Sequence, residues 1–198
     1  EVYGMHNMPG YPVGHFAIRP GAFFAAADKF TIHVEGKGGH AARPHDSIDT
    51  TLVAAQIVVA LQSIASRNAD PLKSLVVSVT SFRTESDAYN VIPQHVELRG
   101  TVRTMDKAVQ DMAELNIARV AEMTASAFGA VAKVEYERGY PVMVNSEKQT
   151  AFAVEVAKKV AGEGKVQDNV AQIMGAEDFS YMLESRPGAY ILVGNGDT

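Results

Sequence analysis

In K-F-T-I-H-V-E-G, Phe30, Ile32 and Val34 alternate with Thr31, His33 and Glu35, a two-residue period that predicts a half-buried strand. Beyond a glycine-rich stretch, apolar residues at 48, 52, 53, 57, 60, 61 and 64 return at the spacing of one helix face. Asp46 or Ser47 is the expected N-cap of that helix. S-L-V-V-S-V-T-S-F predicts a second strand, and the latter part of N-V-I-P-Q-H-V-E-L-R-G-T-V-R alternates again as a third. The next helix is expected from about Lys107 to Phe128, with Val109, Met112, Leu115, Ile117, Val120 and Met123 as its apolar positions. Gly129 should end it, since glycine readily takes the left-handed conformation that closes a helix. V-A-K-V-E-Y-E completes the unit as a strand.

The order β-α-β-β-α-β is the split βαβ, or ferredoxin-like, arrangement, with helices on one face of an antiparallel sheet. The other face must meet water or a partner. Residues 1–27 are rich in Gly, Pro and aromatics without a helical period, which predicts loops and short strands. From residue 139 onward come the helix E-K-Q-T-A-F-A-V-E-V-A-K-K-V-A, the polar stretch M-G-A-E-D-F-S-Y-M and a strand around A-Y-I-L-V. The two flanks look unfinished and surround a complete small unit. Residues 28–138 are therefore expected to be an insertion into a larger α/β domain to which 1–27 and 139–198 contribute. The chain is expected to be a piece of a longer one.

Composition narrows the chemistry. The 198 residues carry 46% hydrophobic and 21% charged side chains, ordinary proportions for a packed domain. A net charge of −5 argues against nucleic acid as a partner, because phosphate binding needs a basic surface. No run approaches the roughly 18 to 20 apolar residues of a membrane span, and no basic-then-apolar leader is seen. The expectation is a cytoplasmic protein with no membrane partner. With no cysteine, disulfides and thiolate metal sites are excluded, and any metal must be held by His, Asp or Glu.

The stretch H-V-E-G-K-G-G-H-A-A-R-P-H, 33 to 45, concentrates histidine and glycine. His40 follows Gly38 and Gly39, whose missing β-carbons open backbone conformations that would thrust its imidazole out from a strand end. A phosphate loop is a weak alternative, since the G-K-[ST] ending is missing. His40 and His45 together suit a metal only if a carboxylate joins them, and Asp46 and Asp49 read more simply as helix caps. His6 lies in the irregular Y-G-M-H-N-M-P; a lone histidine is more often structural than a ligand. His15 and His95 lack supporting neighbours, and His33 reads as a surface residue. Asn90 is a natural turn residue before Val-Ile-Pro, and Arg103 a plain strand-end charge. Were Asn90 and Arg103 close together, they would form a fork and an amide donor suited to a carboxylate.

Y-G-M-H-N-M-P, R-P-G-A-F-F-A-A-A-D-K-F, G-K-G-G-H-A-A-R-P-H, N-V-I-P, R-G-T-V-R and M-G-A-E-D-F, in this order, resemble the amidohydrolase branch of the dinuclear-metal aminoacylase and carboxypeptidase family. That branch includes hippurate hydrolases, N-acyl-amino-acid amidohydrolases and auxin-conjugate hydrolases. The resemblance runs the length of the chain. It implies a zinc-peptidase-like catalytic domain with two divalent metal ions, zinc or manganese, and an inserted ferredoxin-like lid through which the protein forms a homodimer. It implies hydrolysis of the amide bond of N-acyl amino acids. By residue, it implies that His6 ligates a metal, that His40 reaches the partner subunit's active site and polarises the scissile carbonyl, and that Asn90 and Arg103 bind the substrate's carboxylate end. Gly175 is implied to line the substrate pocket, while Glu177 beside it reads as structural. The family's other ligands and its general-base glutamate have no counterpart in this chain, so the chain by itself is expected to be inactive. A non-catalytic dimerisation module, or a peptidase or deacylase of another branch, is the competing reading.

Overall fold

The structure is a computed structural model and describes residues 1–196. Its elements, in chain order, are β1 (Val2–Met8), β2 (Phe16–Ala17), β3 (Gly21–Phe24), β4 (Ala26–Glu35), β5 (Gly39–His40), α1 (Thr50–Ser63), β6 (Leu75–Thr84), β7 (Val91–Ile92), β8 (His95–Thr104), α2 (Lys107–Ala127), β9 (Val131–Tyr140), β10 (Met143–Asn145), α3 (Glu147–Ala161), β11 (Val166–Gln167), α4 (Ser180–Ser185) and β12 (Gly188–Gly194). The fold is mixed α/β. It divides into two compact units, one formed by Glu1–Ala26 with the chain from Tyr140 on, the other by Ala27–Gly139.

In the Ala27–Gly139 unit, the strands lie in the order β6-β8-β4-β9. Along β4, buried and exposed positions alternate as the pattern predicts. Phe30, Ile32 and Val34 join Val77, Val96, Leu98 and Val102 in one core with Ile57 and Leu61 of α1 and Ile117 of α2. Both helices therefore cover the same sheet face. The opposite face carries Lys29, Thr31, Arg99, Thr101, Arg103, Glu135 and Glu137 around a shallow depression.

The helices correct the expectation in three ways. Asp49, not Asp46 or Ser47, caps α1: its carboxylate accepts the Thr51 and Leu52 backbone N–H groups at 2.9 and 3.2 Å. The buried face of α2 is built from Ala113, Ala121 and Ala125 beside Ile117, while Leu115 and Met123 point outward. Val109 and Ile117 are buried and Met112 and Val120 pack against the core as expected, while the small residues let α2 approach its neighbours closely. Third, Thr50–Asn68, α1 with the π turn that extends it, is long and apolar enough to cross a membrane by composition. Val53, Ala54, Ile57, Leu61 and Ile64 are nevertheless packed into the core, which is the environment of a core helix. As expected, Gly129 closes the end of α2 with φ of +76°.

One charge is enclosed in this unit. Asp28 is 1% exposed, and its carboxylate accepts hydrogen bonds from Gln110 Nε2 at 2.9 and 3.0 Å, from the Tyr136 hydroxyl at 2.7 Å and from the Gly139 N–H at 3.2 Å. A buried carboxylate needs such company, because unpaired it would cost several kcal/mol.

The other unit has a sheet ordered β1-β12-β2-β11 and the pair β10-β3. β1 and β12 run parallel, with Gly4 opposite Tyr190 and His6 opposite Leu192. β12 is almost continuously buried, the signature of a strand covered on both faces. The buried Asn145 ties this unit internally: its amide donates to the carbonyls of Arg19 and Tyr190, and its oxygen accepts the Tyr190 N–H at 2.7 Å.

Candidate active site

His6, the His40–Asn90 pair and Arg103 fall into three separate places. The first is on β1. The His6 side chain is 50% exposed, and its Nδ1 lies 3.9 Å from Glu177 Oε2, the distance of a charge contact rather than a hydrogen bond. Glu177 is only 16% exposed at its side chain and accepts a hydrogen bond from the Tyr190 hydroxyl. Tyr190 sits 5% exposed, with Phe179 at 5.0 Å between ring centroids and Phe24 edge-on at 6.0 Å. Burial first, and the bonded Glu177 carboxylate second, push the Tyr190 phenol well above its ordinary pKa, so the hydroxyl stays a donor.

Sequence reasoning missed Tyr190 and read Glu177 as structural. A signal for Tyr190 was available: a tyrosine inside a buried apolar strand must find a partner for its hydroxyl. Glu177 lies far from His6 in the chain and carried no such signal.

The second place is the glycine-rich loop. β5 pairs antiparallel with β7, setting Gly39 opposite Ile92 and His40 opposite Val91. The Ala41 N–H donates to the Asn90 carbonyl at 2.9 Å. His40 and Asn90 are thus neighbours, both exposed. His40 Nδ1 accepts the Ala42 N–H at 3.1 Å, which assigns the proton of the neutral imidazole to Nε2, on the outward side. The glycines here act otherwise than expected. None of Gly36, Gly38 or Gly39 has positive φ. Gly36 is required for close approach, since a β-carbon there would lie 2.7 Å from the Ile48 carbonyl oxygen; one on Gly38 would sit tightly, 3.0 Å from the Ile92 carbonyl oxygen, and one on Gly39 3.2 Å from the Ser47 β-carbon.

Arg103 occupies the third place. It lies near the end of β8, opposite Val76 of β6, on the uncovered sheet face with Lys29. Eight residues of strand separate it from His95, or ~26 Å at about 3.3 Å per residue. Asn90 precedes that far end, so one chain does not bring Asn90 and Arg103 together. Gly175 lies elsewhere, its carbonyl accepting the Ala25 N–H at 2.9 Å. A β-carbon there would meet Ile173 and Phe24 at ordinary contact distances, so sterics do not demand glycine. His45 is exposed, 3.7 Å from Asp46.

His6 suits a metal as one ligand: a half-exposed imidazole with a carboxylate beside one nitrogen leaves the other free. Among the described residues, no group of three His, Cys, Asp or Glu side chains converges. These residues therefore offer a ligand and not a whole dinuclear centre.

The chain is similar throughout to known hydrolases. It is 39% identical over 197 residues to the N-acetyl-L-cysteine deacetylase of Bacillus subtilis, covering 99% of this chain and 46% of that protein. To the hippurate hydrolase of Campylobacter jejuni it is 35% identical over 194 residues, covering 98% and 50%. Among solved structures, the Bacillus subtilis YXEP protein, a dinuclear metal binding peptidase, superposes with a TM-score of 0.78 at 31% identity, over 97% of this chain and 47% of that one. The chain spans about half the length of the curated relatives it matches. The model of peptidase family M20/M25/M40 matches residues 1–198, and the chain belongs to that family.

Proposed function

We propose that this chain serves a metal-dependent amidohydrolase that cleaves the amide bond of N-acyl amino acids, hippurate-like, and acts as a homodimer. In this reading residues 27–139 are a ferredoxin-like lid. Support comes from the β-α-β-β-α-β order, the strand order β6-β8-β4-β9 and the single core shared by α1 and α2.

One observation carries the reading: His40 and Asn90 share one end of this unit, and Arg103 stands at the other. A single chain cannot close all three on one small molecule. Two chains related by a two-fold axis can, with His40 and Asn90 from one and Arg103 from the other. Arg103 then grips the substrate carboxylate through its planar fork. His40, with its proton on Nε2, donates to the developing oxyanion of the acyl carbonyl, and the Asn90 amide holds the oxygens neighbouring the carboxylate at the amino-acid end. His6 holds a metal. Bound metal ions supply the acidification of the attacking water and part of the charge stabilisation.

Benzoylglycine, an N-acetylated amino acid and a dipeptide, each offered to the chain with added Zn²⁺ or Mn²⁺, test this. The chain alone should release no amine yet bind benzoylglycine saturably, and Arg103→Ala should abolish binding. Turnover of the dipeptide alone would move the assignment to a peptidase; binding of none of the three would sink it. A sedimentation mass of one chain would remove the two-chain arrangement.

A further inference from the structure

His6 and Gly4 are two residues apart on β1 and so face the same side of the sheet. Across the parallel ladder, Tyr190 stands opposite Gly4. A β-carbon on Gly4 would lie 2.6 Å from Tyr190 Cδ2, 2.8 Å from its Cε2 and 2.9 Å from Phe179 Cε2. The Tyr190 ring thus lies over a gap that only glycine leaves, a cross-strand aromatic covering a glycine. Its ring centroid is 6.3 Å from that of His6, and its hydroxyl is bonded to Glu177, whose other neighbour is His6 Nδ1. Glu177 and Tyr190 thus meet the His6 imidazole, with Gly4 and Phe179 packed against Tyr190.

We infer that Glu177 is a positioning residue: its carboxylate, held by the Tyr190 hydroxyl above Gly4, fixes His6 with its proton on Nδ1 and its Nε2 free to meet a metal ion. The use of that free nitrogen rests on the reading of His6 as a ligand; the tautomer itself does not. An ionised carboxylate accepts and cannot donate, so it favours the tautomer that turns an N–H toward it. At 3.9 Å the carboxylate acts on the imidazole as a nearby charge rather than through a short hydrogen bond. The same device, a carboxylate behind a ligating histidine, sets ring orientation and ligand basicity in metal sites generally. His40 provides an internal contrast: its Nδ1 accepts a backbone N–H, which assigns it the opposite tautomer.

The test is ¹⁵N NMR of the metal-free 198-residue chain at about pH 9, where imidazoles are neutral, with His6→Ala identifying the His6 signals. The wild-type His6 should show a majority of protonated Nδ1. Glu177→Ala should shift the majority to protonated Nε2, and Tyr190→Phe should move it part of the way, each with a dispersed amide spectrum and unchanged His40 signals. If Glu177→Ala does not fold, Tyr190→Phe carries the same comparison. A wild-type His6 already protonated at Nε2, or a Nδ1 majority that persists in the variants, would overturn the inference. Because neither metal nor substrate is present, failure of the hydrolase reading leaves this result standing, and its own failure leaves the hydrolase reading intact.

Discussion

Two carboxylate–tyrosine pairs, Asp28 with Tyr136 and Glu177 with Tyr190, differ in enclosure. In the Ala27–Gly139 unit, Asp28 is sealed at 1% exposure, and Gln110, Tyr136 and the Gly139 N–H all donate to it. In the other unit, Glu177 receives the Tyr190 hydroxyl on one side and on the other meets a half-exposed histidine at 3.9 Å. In both, burial comes first and the carboxylate second in raising the tyrosine's pKa. The chemical parts are alike. A group whose partners are all internal holds a fold together, whereas one that leaves a side chain facing outward has something left to hold.

The largest break between the two pairs should come from removing the acids. Asp28→Ala strands three buried donors, and denaturant unfolding should register a loss of about 3–5 kcal/mol. Glu177→Ala should cost about 1–2 kcal/mol, the loss of one hydrogen bond. Equal losses would mean that Glu177 is structural after all. Next in size is Gly4→Ala. Its β-carbon meets the Tyr190 and Phe179 rings, and overpacking of this kind typically costs about 1–3 kcal/mol. The same substitution should move the His6 resonances while those of His40 stay put. Asp49→Ala, which removes the two hydrogen bonds that cap α1, should cost about 1 kcal/mol and leave the His6 signals unchanged.

Alkaline pH gives a smaller and more selective effect. A tyrosine whose folded pKa is raised keeps its proton in the native state after the unfolded chain has lost it. Above about pH 10 the unfolded state therefore binds fewer protons, and stability falls as pH rises. Tyr136→Phe and Tyr190→Phe should each flatten that decline in stability above pH 10, and the double variant should flatten it most. At the acid end Asp106 behaves conversely. The Lys73 ammonium, first, and the Val109 N–H hold its carboxyl below the ordinary range. Its contribution is present above about pH 4 and is lost as pH falls toward the folded value. Asp106→Asn should blunt that acid sensitivity in a urea titration at low pH.

Much of the molecule was legible in the chain. The alternation around Phe30, Ile32 and Val34 matched the buried phase of β4, and the closing role of Gly129 followed from glycine's freedom at positive φ. On α2, Val109, Met112, Ile117 and Val120 face inward as read, but Leu115 and Met123 do not, because hydrophobicity ranks them above Ala113 and Ala121 while close packing between elements selects the smaller residues. The glycines of the loop were read as conformational devices. At Gly36 and Gly38 another backbone instead comes close to where a β-carbon would stand, and at Gly39 the Ser47 side chain does, which depends on neighbours that the local sequence does not name.

The sequence by itself determined the order of elements, the exclusion of cysteine chemistry and the residues from which a site could be made. Local periodicity and side-chain chemistry carry that information, and both act within a few residues. Only the tertiary structure decided how those residues are grouped. Two-strand pairing set His40 beside Asn90, the length of β8 from His95 to Arg103, about 26 Å, put Arg103 at the other end of the unit, and the parallel register of β1 with β12 laid Tyr190 over Gly4. The contact of Glu177 with His6 joins distant parts of the chain, and a pairing of that kind is fixed by packing and sheet register rather than by any pattern in the residues between.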